Sequence, residues 1–300
     1  MKSRCGGAAL INRRASENGI PCYDGPIVEP IRDGAPALMS TLFSFFMWAL
    51  AVLAAVYVAI GVWLYVFQEN YVYFPDTNNF QQCVAFAKAE KISFGSARGY
   101  LTVRSPEKLI VYYHGDGGSA CDYGQMDAFF AKQGYSTFFV EYSGYAETGT
   151  KPSMKGILQN VIDTIAFLKT KDFTTVVVVG ESLGVGPTAY HALHGEVANL
   201  VLITPYTTLA DVAAYLYPFY YGTRALLRDN FMPDVWLASY IGPVSLFVAE
   251  QDTRIPPALG QKLFEDIPSP LKHLYVVKDA THEGIFEKDE FYTLFGLLLK

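Results

Sequence analysis

The residues with the clearest chemical potential lie in Gly180-Glu181-Ser182-Leu183-Gly184. Four valines, Val176 to Val179, run into this pentapeptide and read as a strand buried on both faces, as the middle of a parallel sheet requires. An alanine- and histidine-bearing helical stretch follows. A G-x-S-x-G run at a strand-to-helix turn is a nucleophile elbow, tight enough to demand flanking glycines and shaped to lift the serine hydroxyl above the sheet. A serine hydroxyl is too weak an acid to attack an acyl carbon near pH 7 unaided. It needs a base, and an acid that orients the base.

In an open parallel sheet the reacting groups come from loops at the carboxyl ends of strands. Among five histidines, His282 falls just past the last predicted strand. His114 ends an earlier strand and is expected to brace its loop. His191 and His194 sit on the helix after the elbow, and His273 begins a strand at the opposite end of the sheet. For the acid, Asp252 follows the strand Val244–Glu250 and precedes Thr253-Arg254-Ile255-Pro256. The order Ser182, Asp252, His282 is the order that follows an elbow of this kind. The tetrahedral oxyanion needs preorganised N–H donors. The expected donors are the backbone N–H groups of Leu183 and of Asp116, in the loop Tyr112-Tyr113-His114-Gly115-Asp116-Gly117-Gly118-Ser119. That loop also reads as a dinucleotide fingerprint, Gly115-x-Gly117-x-x-Ala120 with Glu141 ending the next strand. That reading lacks a clear third glycine and leaves Ser182, Asp252 and His282 unexplained.

The elements that must hold these residues alternate along the chain. Strands are expected at Tyr100–Ser105, Lys108–Tyr113, Tyr135–Tyr142, around the valine run, and at Leu200–Thr204, Val244–Glu250 and His273–Val277. Helices are expected at Cys121–Gln133, Ser153–Thr170, after the elbow, at Pro257–Asp266 and from Phe286 onward, with Asn70 to Lys91 as a connecting stretch. Such alternation defines an α/β fold, a mostly parallel sheet with helices on both faces. An aromatic insert over 205–241 interrupts it.

Residues 1–40 mix Lys2, Arg4, Arg13, Arg14 and Arg32 with Gly, Pro and Asn and lack a period, so a disordered tail is expected. A transmembrane helix is expected over 41–68: the 26 residues from Leu42 to Phe67 carry no charge and would span about 39 Å as a helix. The apolar run is too long for a cleaved signal peptide. Basic residues precede it and the first one after it is Lys88, which puts the N-terminus in the cytoplasm and the catalytic part periplasmic, lumenal or extracellular. The composition is 51% hydrophobic and 17% charged, with net charge −6, so nucleic acid is not an expected partner. Cys5, Cys22, Cys83 and Cys121 show no metal-finger spacing, and no metal or cofactor is expected. Cys83 and Cys121 are expected as two unpaired thiols, with a disulfide as the alternative in an oxidising compartment.

With these motifs in place, the chain resembles the α/β-hydrolase superfamily over about 73–300. Within it, the chain is similar to the membrane-anchored branch of abhydrolase-domain lipases and protein depalmitoylases and their bacterial relatives. The matching residues are Phe74-Pro75, His114-Gly115-Asp116-Gly117-Gly118 against H-G-N-A-G, the segment 141–153 against D-Y-R-G-Y-G-x-S-x-G-x-P-S, Gly180 to Gly184, and Asp252 to Pro256. Asp116 stands where the pattern has Asn, and Ser143 where it has Arg. A carboxylate beside the oxyanion site would oppose developing negative charge unless it points away. The resemblance implies that 205–241 is a lid, with Tyr206, Tyr215, Phe219 and Phe231 as candidate substrate contacts. It also implies a serine hydrolase acting at a bilayer on acyl esters, lipids or acylated proteins. A catalytically weak binding protein and a serine exopeptidase are the alternatives.

Overall fold

The computed structural model describes residues 35–147 and 149–300, so the tail expected over 1–40, with Cys5 and Cys22, lies outside the described residues up to 34. The chain divides into two units, one ending at Val56 and one beginning at Tyr57. The first contains the start of helix α1, Ala35–Phe67, which begins before the expected position 41, with proline in its first turn, where a missing N–H costs nothing. The stretch Met39–Phe67 contains an 18-residue window of mean hydropathy 2.4 and is long and apolar enough to cross a membrane.

The second unit is built on an eight-stranded sheet. Its strands are β1 Glu90–Phe94, β2 Ala97–Thr102, β3 Lys108–Tyr113, β4 Ser136–Glu141, β5 Thr175–Glu181, β6 Asn199–Ile203, β7 Val244–Ala249 and β8 Lys272–Val277. Their order across the sheet is β8-β7-β6-β5-β3-β4-β2-β1. β1 and β2 are an antiparallel hairpin, and β2 pairs antiparallel with β4; the other pairs are parallel. The first two residues of β1 fall in the stretch Asn70 to Lys91 expected as connecting chain, and the strand itself is not expected from sequence because Glu90-Lys91 and Ser93 dilute its apolar signal. The valine run lies in the centre, between β3 and β6.

Crossover helices α2 Gly124–Lys132, α3 Met154–Leu168, α4 Val185–His194 and α6 Pro257–Asp266, with the closing helix α7 Asp289–Leu298, cover the two faces. One core cluster packs α3 and α4 against Leu109, Val111, Val178 and Leu200. The other packs α2 and α7 against Ile110, Val177, Val179 and Phe247. The alternation along β3 and β5 thus serves two cores at once. The insert over 205–241 holds α5 Leu209–Leu216 and two one-turn helices, Thr223–Leu226 and Pro233–Trp236.

Cys83 and Cys121 form a disulfide, contrary to the expectation of free thiols. Cys83 caps the turn Phe80–Gln82, and Cys121 is the second residue of the turn Ala120–Tyr123 before α2. The fold brings their Cα atoms to 5.7 Å across 38 residues of sequence, within bridging reach.

Candidate active site

Ser182 sits directly after β5, at φ +49°, in the left-handed region that non-glycine residues rarely adopt. Such a conformation costs on the order of 1–3 kcal/mol and persists only where the surroundings impose it. A Cβ at Gly180 would overlap Thr188 and the Gly184 backbone, and one at Gly184 would overlap the Tyr113 and His114 carbonyls. Glycine at 180 therefore lets the turn close onto α4, and glycine at 184 lets it pack against the end of β3.

Ser182 Oγ lies 2.9 Å from His282 Nε2, and His282 Nδ1 lies 2.7 Å from Asp252 Oδ2. All three residues are buried. Asp252 Oδ1 accepts the backbone N–H groups of Arg254 at 2.9 Å and Ile255 at 2.8 Å, which fixes its rotamer. Its second oxygen is left for the imidazole. With Nδ1–H donating to Asp252, Nε2 is the acceptor that faces the serine hydroxyl. The loops carrying acid and base are joined by the Gln251 N–H donating to the Ala280 carbonyl at 2.8 Å.

The loop after β3 is held by tyrosines. The hydroxyl of Tyr142 donates to the His114 carbonyl at 2.7 Å and that of Tyr145 to the Asp116 carbonyl at 2.8 Å. The Phe74 N–H also donates to the Asp116 carbonyl, and the Gly115 N–H donates to Tyr123 Oη at 3.3 Å. Among the described residues the Asp116 N–H has no hydrogen-bond partner. Leu183 is the second residue of the turn Ser182–Gly184, where the first N–H groups have no acceptor within the turn. Asp116, Ser182 and Leu183 line one cavity. His114 braces its own loop, with Nδ1 2.9 Å from the Gly115 carbonyl and Nε2 3.6 Å from Glu141. Glu141 in turn accepts the Ala120 N–H at 3.2 Å.

Glu181, beside the nucleophile, is buried and accepts hydroxyl hydrogen bonds from Tyr112 at 2.5 Å and Tyr123 at 2.7 Å. Burial raises its pKa, and these two hydroxyls work against the rise.

The cavity has a volume of about 320 Å³ and is walled by apolar side chains of the insert, among them Val212, Leu216 and Leu227, and by the end of α1 and the turn beyond it, Leu64, Gln68 and Val72. Of the four insert residues singled out in sequence, Tyr206 lines it, and its hydroxyl donates to the Leu183 carbonyl at 3.3 Å. Phe231 is packed beneath the elbow helix against Gly186. Tyr215 and Phe219 are exposed, Phe219 at 88%. Arg254, which sequence reasoning passed over, also lines the cavity. No cluster of metal-ligating side chains occurs among the described residues.

The sheet order, the elbow and the three loops define an α/β-hydrolase fold. Solved structures agree: an esterase of Pyrococcus furiosus superposes with a TM-score of 0.61 at 19% identity, covering 76% of this chain and 98% of that one. The monoacylglycerol lipase of Paleococcus ferrophilus does so with a TM-score of 0.51 at 18% identity, covering 67% and 98%. Sequence relatives include an uncharacterized protein of Mycobacterium tuberculosis, 29% identical over 146 residues, 48% of this chain and 52% of that protein. Alpha/beta hydrolase domain-containing protein 17B of Xenopus laevis is 28% identical over 189 residues, 60% of this chain and 62% of its own. The chain spans about half to three fifths of the length of the curated relatives it matches. No protein-family model matches it. The chain thus has the α/β-hydrolase fold and is similar in sequence to an alpha/beta hydrolase domain-containing protein.

Proposed function

We propose that this protein is a membrane-anchored serine hydrolase that cleaves acyl esters or thioesters of amphiphilic substrates through an acyl-enzyme. The observation that carries this reading is the buried chain Ser182–His282–Asp252, at 2.9 and 2.7 Å, beside an apolar cavity. His282 Nε2 takes the Ser182 proton as Oγ attacks the acyl carbon, and Asp252 stabilises the imidazolium. The N–H groups of Asp116 and Leu183 receive the oxyanion. The tetrahedral intermediate collapses, His282 protonates the leaving alkoxide or thiolate, and the acyl group stays on Ser182. Water, deprotonated by His282, then repeats the sequence and releases the carboxylic acid.

The apolar cavity suits an acyl chain, and the names of the two structural neighbours, an esterase and a monoacylglycerol lipase, accord with ester substrates. The 205–241 insert acts as the lid over this cavity. Met39–Phe67 serves as an uncleaved anchor that holds the site at high local concentration of membrane substrates. The Cys83–Cys121 disulfide favours an oxidising compartment for the catalytic domain, in keeping with a basic tail on the cytoplasmic side. The binding-only alternative drew its support from an uncompensated Asp116, and Asp116 is paired with Arg254.

The test is active-site labelling of the full chain in detergent. A fluorophosphonate labels wild type, and Ser182→Ala and His282→Ala lose labelling and turnover of a short-chain nitrophenyl ester. Undiminished labelling of Ser182→Ala overturns the assignment.

A further inference from the structure

Arg254 joins the three loops that carry the reacting groups. Its backbone N–H donates to Asp252 Oδ1 at 2.9 Å, beside the acid's contact with His282. Its guanidinium Nη2 meets Asp116 Oδ2 at 2.9 Å, and Nη1 meets Glu283 Oε1 at 2.6 Å. Asp116 supplies the expected oxyanion N–H, and Glu283 directly follows the base. One planar fork therefore spans the oxyanion loop, the acid loop and the base loop, a geometry that a lysine ammonium does not reproduce. Exposed ion pairs contribute little to stability, and this one is half-exposed, with the Arg254 side chain 47% accessible. Its consequence is electrostatic: without the guanidinium, two carboxylates flank a site where negative charge develops.

We propose that Arg254 is a positioning residue that neutralises Asp116 and locks the oxyanion loop to the acid and base loops, so that an aspartate is tolerated at the oxyanion position. This rests on the serine-hydrolase reading above. The pair is reciprocal in logic: Arg254 is needed because position 116 carries a charge. Removing the charge at 116 therefore removes the need for Arg254, so Asp116→Asn lowers kcat less than Arg254→Ala does, whereas loss of a merely structural salt bridge would cost the two single variants alike.

The experiment is a double-mutant cycle in the full chain, read with a neutral short-chain ester. Arg254→Ala lowers kcat by about 30-fold, less than the 10²–10³ typical of losing an oxyanion donor, with KM changed less than about threefold. In an Asp116→Asn background the same substitution changes kcat less than about threefold. Arg254→Met, which keeps the aliphatic stem, behaves like Arg254→Ala and separates the charge from packing. Equal losses in both backgrounds overturn the proposal, as does an effect confined to KM, which would make Arg254 a substrate contact. Ser182→Ala is run alongside. If it abolishes turnover while the cycle is additive, only the Arg254 proposal fails; if it turns over normally, the hydrolase reading fails and takes this proposal with it.

Discussion

The backbone N–H of Phe74 donates to the carbonyl of Asp116 at 2.9 Å. Phe74–Pro75 and Gly117–Gly118 form a two-stranded parallel ladder, extended by the Asp76 N–H donating to the Gly118 carbonyl at 3.2 Å and by Ser119 Oγ donating to Asp76 at 3.0 Å. Chain that follows the end of α1 within a few residues is thus hydrogen-bonded to the loop that presents the oxyanion donor. The Asp116 carbonyl shares its peptide plane with the Gly117 N–H, so the ladder pins the loop on the C-terminal side of Asp116, while the plane that holds the Asp116 N–H is contacted through the Gly115 carbonyl by His114 Nδ1 at 2.9 Å.

The Asp116 carbonyl has a second holder, the buried Tyr145 hydroxyl at 2.8 Å. Tyr145→Phe removes it while keeping the ring. The expected outcome is a kcat about tenfold lower with KM little changed, and a stability loss of about 1 kcal/mol. Steady-state kinetics and a urea melt check both. A change in KM alone would show that the hydroxyl serves the cavity and not the loop.

The disulfide leads to a second expectation. Closing a loop of 38 residues stabilises by about 3–4 kcal/mol through the entropy of the unfolded chain. Reduction of the native protein, or Cys121→Ser, is expected to lower the melting temperature by several degrees. Because Cys121 lies two residues beyond the oxyanion loop, fluorophosphonate labelling slows as well. Melting and labelling rates with and without dithiothreitol measure this, and an unchanged melting temperature sinks it.

What the sequence revealed follows the range of the interactions. Ser182 was legible because an elbow needs fixed residues at adjacent positions, and Asp252 and His282 because strand ends confine the candidates. The pairing of Arg254 with Asp116 joins residues 138 apart in sequence, and no local pattern marks it. The same holds for Cys83 with Cys121, and for Tyr142 and Tyr145, whose hydroxyls matter only where their loop meets another. The insert illustrates a different limit. Its aromatic content was plain, yet Phe231 and Phe219 go to opposite environments, one beneath the elbow helix and one to the surface. Composition cannot order side chains by depth where no period is sustained.

Glu181 offers a pH test. Burial raises its pKa above the ordinary 4.5, against the opposing hydrogen bonds of Tyr112 and Tyr123. An acid with a raised folded-state pKa contributes stability that is present below the unfolded value and lost as pH rises through the folded one. Relative to wild type, Glu181→Gln is therefore expected to become progressively more stable as pH rises above about 4.5. Thermal melts of both proteins across pH 4 to 9 give the comparison. A constant difference would mean that Glu181 titrates normally.

His191 predicts the opposite slope. It is buried on α4, with Nδ1 2.8 Å from the Tyr113 hydroxyl, and burial pushes its pKa down to about 3. Tyr113 has its own pKa raised by burial, so its hydroxyl donates and the imidazole accepts while neutral. A base with a lowered folded-state pKa leaves the unfolded chain holding more protons between the two values. Stability therefore falls as pH drops from about 6.5 toward about 3, by about 1.4 kcal/mol per unit from this group alone. His191→Asn keeps an acceptor for Tyr113 and does not titrate. It is expected to be less stable than wild type at pH 7, because the smaller side chain leaves space, yet to lose stability less steeply on acidification. Urea melts at pH 7, 6 and 5 measure the two slopes, and parallel slopes would show that His191 is charged within the folded protein.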